Sequence, residues 1–117
     1  MITSIRILMV LAALTLFTAS AVHASLLGAI DPFEGAALPE AIIGAVLLAG
    51  ALGALFWWPG SWPYALGGTL FAVVGTLVGL TFTLPRGSPG DIAYHVSLLG
   101  VLLLVTALLV RWRSRRA

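Results

Sequence analysis

Four long apolar runs, each separated from the next by a short cluster of glycine, proline and charged residues, order the chain. They cover residues 5–30, 38–58, 62–84 and 92–110. About 20 apolar residues in a helix cross a hydrocarbon core of about 30 Å, so each run is long enough to span a membrane. The breaks read "DPFEGAALP", "PGSWP" and "PRGSPGD", which is turn chemistry. Connections this short join antiparallel neighbours. The pattern predicts an all-α protein, an antiparallel up-down four-helix transmembrane bundle forming a single domain over 1–117 and ending in a basic tail over 111–117.

Composition strengthens that picture. The chain is 61% hydrophobic and 9% charged, whereas soluble domains are about 25% charged. It has too few polar side chains to make a water-facing skin, so the lipid bilayer is the partner it requires. With no cysteine, disulfides, thiolate metal sites and cysteine nucleophiles are excluded. The net charge of +2 comes from six arginines and no lysine, four of them within 111–117. That is a local tail, and nucleic acid is not an expected partner.

The arginines also predict an orientation. Arg6, Arg111, Arg113, Arg115 and Arg116 fall on the side shared by both termini, and the opposite side holds Arg86 with Asp31, Glu34, Glu40 and Asp91. The positive-inside rule then makes both termini cytoplasmic. Trp57, Trp58, Trp62, Tyr64 and Trp112 fall at the same boundary, where amphipathic rings prefer to sit. One competing reading is a signal peptide, because "MITSIRILMVLAALTLFTASAVHA" has a basic start, an apolar run and small residues near its end. The apolar character continues through "SLLGAI", which favours a span. Cleavage would leave three spans with the tail still inside.

Membrane helices associate through small residues that let backbones approach. The second run carries Ala37, Ala41, Ala45, Ala49 and Gly53 at four-residue steps, and the third carries Gly75 and Gly79 as a GxxxG. The first adds Ser20, Ala24 and Gly28. Packing within the bundle is the plainer use of these stripes. A homo-oligomer, or docking into a larger membrane complex, is the sharper one.

The few polar residues gather on the outer side. His23 is expected roughly 10 Å below a boundary near Ile30, and His95 roughly 6 Å below the same level. Asp91 follows "SPG" as a helix N-cap would, and Glu40 follows Pro39 in a first turn, where negative charge suits the helix dipole. Arg86 is expected to pair with Asp91 or with a lipid phosphate. His95 stands four residues after Asp91, a natural spacing for a hydrogen bond. Each residue has a structural explanation, yet together His23, Glu40, Arg86, Asp91, Tyr94 and His95 are the candidate ligand-binding group. His23, Glu40 and His95 are the candidate metal ligands, since imidazole and carboxylate suit a divalent ion. Two histidines also leave axial haem ligation open, so the cofactor is undetermined. There is no P-loop, HExxH or G-x-S-x-G, and the chain is not expected to be an enzyme.

The stretches "GTLVGLTFTLPRGSPGDIAYH" and "LPEAIIGAVLLAGAL" resemble a group of small, uncharacterised bacterial four-helix integral membrane proteins. The resemblance covers most of the chain, including His23, Glu40, Arg86, Asp91, Tyr94 and His95. It implies a bacterial inner-membrane protein whose outer polar residues act as one unit. In length and span number the chain is also similar to the small multidrug-resistance transporters, but those depend on a glutamate in the first helix. Here no carboxylate lies between Arg6 and Asp31. The expected function is therefore a non-enzymatic polytopic membrane protein with an outer polar pocket for a small ligand or metal. A minimal transporter or proton-coupled channel is the first alternative, and a haem- or quinone-binding redox subunit the second.

Overall fold

The structure, a computed structural model, describes residues 1–28, 32–56 and 60–116. Expectations for Ile30, Asp31, Trp57, Trp58 and the Glu34 side chain lie outside those residues. Four helices follow in order: α1 (Ile2–His23), α2 (Glu34–Phe56), α3 (Trp62–Arg86) and α4 (Pro89–Ser114). All four are long and apolar enough to cross a membrane. Each packs against the next, and α4 closes on α1. The bundle measures 47 × 22 × 18 Å, close to the roughly 40–45 Å thickness of a bilayer with its headgroups.

Each helix turns one stripe inward. On α1 it is Ile5, Met9, Ala12, Ala13 and Leu16; on α4 it is Leu98, Leu102, Val105 and Leu109. These spacings alternate three and four, the period that keeps one seam facing a neighbour in a left-handed bundle. Large apolar side chains such as Leu14, Val74, Phe82 and Leu103 lie exposed on the outside, the surface that lipid would cover.

The α2 stripe differs from the one expected. Ala45 and Ala49 face outward, while Ile43, Gly44, Leu47, Gly50, Ala51, Gly53 and Ala54 turn inward. The closest approach joins α2 to α3. A Cβ on Gly50 would lie 3.0 Å from the Tyr64 carbonyl, and one on Gly68 would lie 3.0 Å from the Val46 carbonyl. Gly75 and Gly79 do not form one seam, since Gly75 makes room for the Ile43 side chain of α2 and Gly79 for the His95 ring of α4.

Polar clasps join the helices at both ends. Arg6 Nε donates to the Ala54 carbonyl, in the last turn of α2, at 2.7 Å. Trp62 Nε1 donates to Leu109 O at 3.0 Å, and the guanidiniums of Arg113 and Arg116 lie over the rings of Trp62 and Trp112. At the other end Ser20 Oγ donates to Ala37 O at 2.6 Å.

The first span, expected over 5–30, ends as a helix at His23. Leu26 N–H reaches Ala21 O at 2.9 Å and Ser25 N–H reaches Val22 O at 3.1 Å, with Ser25 at φ 59. This is a Schellman end, and a left-handed residue there stops the helix. Serine is an uncommon choice at that position, and the apolar Leu26 and Leu27 beyond it hide the break in the sequence. Phe33 N–H then donates to His23 O at 3.0 Å, returning the chain onto the end of α1.

Candidate functional site

The inward stripes change character at the end away from the termini. On α4 the seam continues upward from Leu98 to His95 and Asp91, both buried, and on α1 from Leu16 to the buried His23. On α2 it ends at Glu40, which is only 4% exposed. Four ionisable side chains therefore occupy core positions.

Three local corrections explain how they arrive there. α2 begins at Glu34 with Pro39 inside it, so Glu40 stands in the second turn. Proline lacks the N–H that would bond four residues back, and the freed carbonyl belongs to the exposed Gly35. Asp91 is not the N-cap of α4. Ser88 is, its side chain accepting from Asp91 N at 3.1 Å, with Pro89 opening the helix. Asp91 thus sits in the first turn with its carboxylate free to point inward. His23, expected well inside a longer helix, is the last residue of α1. It is buried against Glu40, Asp91 and the Phe33 ring.

The four groups close a ring in which imidazole and carboxylate alternate. His23 Nδ1 lies 2.7 Å from Glu40 Oε2, and His23 Nε2 lies 3.4 Å from Asp91 Oδ1. That same Oδ1 is 3.1 Å from His95 Nδ1, and His95 Nε2 is 3.7 Å from Glu40 Oε1. The last distance is too long for a hydrogen bond, so Glu40 Oε1 is buried without a partner. His95 Nδ1 also lies 2.9 Å from the Asp91 carbonyl. Two oxygens around Nδ1 assign the ring proton there in the neutral form, leaving Nε2 as an acceptor.

Neighbouring residues hold the ring in place. Phe33 meets the His23 ring edge-on with centroids 5.9 Å apart, and Tyr94 meets His95 likewise at 5.4 Å. Tyr94 OH donates to Thr15 Oγ1 at 3.1 Å, tying α4 to α1. Of the six candidate ligand-binding residues, His23, Glu40, Asp91 and His95 come together and Tyr94 supports them. Arg86, exposed at the end of α3, joins them only as part of the wall of a cavity that also touches Glu40 and His95. The expected Arg86–Asp91 pair does not form, because Asp91 turns to the imidazoles.

Buried carboxylates are costly unless paired or bound to metal, and alternating imidazole and carboxylate donors can meet that demand among themselves or with a divalent cation. His23, Glu40 and Asp91 each offer a donor atom, all within 4.8 Å of one another. Donors about 2 Å from one tetrahedrally coordinated ion lie roughly 3.3 Å apart, so the side chains would close in by up to about 1.5 Å. This set includes Asp91, which the sequence reading had kept out of the metal group. A haem held by both histidines would have to displace the Asp91 carboxylate, whose Oδ1 lies within 3.4 Å of a nitrogen of each ring.

Cavities reach the ring from two sides. One of about 360 Å³ touches His23, Asp91 and Tyr94 between α1 and α4. The other, of about 670 Å³, touches Glu40 and His95 between α2 and α3. The four-helix arrangement defines a multi-pass membrane protein with a buried polar centre near one end. Comparison with protein-family models, with curated proteins and with solved structures found no match.

Proposed function

We propose that this chain is a non-enzymatic inner-membrane protein that binds one divalent transition-metal ion at the His23, Glu40 and Asp91 donors, with His95 beside them. The observation that carries this reading is the convergence of these buried donors within 4.8 Å. Imidazole and carboxylate without thiolate suit ions such as manganese, iron or zinc. Binding is favoured over transport because the seam below the ring, through Met9, Leu47, Leu102 and Val105, is apolar and offers an ion no onward path.

Purified protein should carry about one metal ion per chain by elemental analysis, and Glu40→Gln or His23→Gln should lose it. Equal metal content in wild type and both variants would overturn the assignment. Both termini are placed in the cytoplasm on the arginine bias. A C-terminal alkaline phosphatase fusion should then be inactive, while an active fusion would reverse the orientation. Ala45 and Ala49, small residues on the outward face of α2, favour close packing with a second copy. Native mass spectrometry of a monomer alone would remove that part.

A further inference from the structure

The cavity between α2 and α3 has chemistry of its own. Its volume of about 670 Å³ falls within the range of small-molecule sites. Its walls are mainly apolar, from Ile42, Ile43, Phe71, Val78 and Phe82. Two buried polar atoms without partners belong to residues that line it, Glu40 Oε1 and Thr76 Oγ1. Glu40 and Thr76 are 4% and 2% exposed.

Thr76 is unusual among the helical threonines. The hydroxyls of Thr69 and Thr106 each donate to the carbonyl four residues back, both at 2.8 Å, whereas that of Thr76 does not. At Glu40, Oε1 faces His95 Nε2 across 3.7 Å, too far for a hydrogen bond. A buried carboxylate oxygen without a partner calls for a donor.

A matching ligand is apolar in body and carries hydroxyl donors. An acyl chain alone would leave both polar atoms unpaired, and a fatty acid whose carboxylate met Arg86, which also lines the cavity, would leave them so too. We propose that this cavity binds a membrane-soluble hydroquinone, one ring hydroxyl donating to Glu40 Oε1 and the other to Thr76 Oγ1. Phe71 and Phe82 supply aromatic surface for its ring. This inference goes beyond the metal reading and does not require the ion, since His23 and Asp91 line the opposite cavity.

The test uses the full chain in lipid nanodiscs, titrated calorimetrically with a short-tailed alkylhydroquinone and with its dimethyl ether, which lacks both donors. Metal content is measured on the same preparations. The hydroquinone should bind at one per chain and the ether at least about tenfold more weakly, as loss of a buried hydrogen bond implies. Thr76→Val should weaken hydroquinone binding about tenfold, and Val78→Trp, which fills the cavity, should abolish it, both with metal content unchanged. Equal binding of hydroquinone and ether would overturn the proposal and mark the cavity as a seat for lipid chains. So would absence of binding, or binding indifferent to both substitutions. Hydroquinone binding to metal-free protein would sustain this inference while the metal reading fell.

Discussion

Glu40 faces both histidines, so its replacement separates the two roles of the ring. Glu40→Ala leaves His23 Nδ1 without the oxygen 2.7 Å away and opens a void in the core. Unfolding in mild detergent should show a loss of roughly 3 kcal/mol. Glu40→Gln keeps an oxygen for His23 and should cost less than half as much, while still losing the metal. Equal stability of alanine variant and wild type would mean that the ring contributes nothing to the fold. At this scale the chemistry was partly legible. The positions Asp91, His95, Leu98, Leu102, Val105 and Leu109 keep a single alternating period, and following it upward points both polar side chains inward. The Ser25 turn was not legible, because nothing in an Ala-Ser-Leu-Leu run announces a left-handed residue.

Among the elements, the contact between α2 and α3 is the least forgiving. Gly50 and Gly68 face each other so closely that a Cβ on Gly68 would lie 3.3 Å from the Gly50 Cα, and backbone cannot move aside as a side chain can. Gly68→Ala should therefore destabilise the bundle by about 1–3 kcal/mol, read as a lower melting temperature. Gly67→Ala, where nothing lies within 4 Å, serves as its control. If the two variants melt together, the tight crossing is not a determinant of stability. Helix number and order followed directly from the apolar runs, since a continuous apolar run of about 20 residues crosses lipid as a helix that satisfies its own backbone. The face of each helix was harder to assign. Small residues recur on two sides of α2, and only the arrangement of its neighbours distinguishes the buried row of Ile43, Leu47, Gly50 and Ala54 from the outward row of Ala45 and Ala49.

Across the whole molecule, the alternating ring draws on two separate parts of the chain. His23 and Glu40 pair within the α1–α2 hairpin, and Asp91 and His95 pair within one turn of α4. During biosynthesis each half can leave the translocon with its own polar pair satisfied, instead of carrying a lone ionisable group into lipid. The ring then closes as a late assembly step between two inserted hairpins. A chain divided between α2 and α3, with both halves made in one cell, should reassemble and recover the metal content measured for the intact protein. Halves that insert separately but never associate would show that continuity of the chain, and not the meeting of two prepaired surfaces, builds the site.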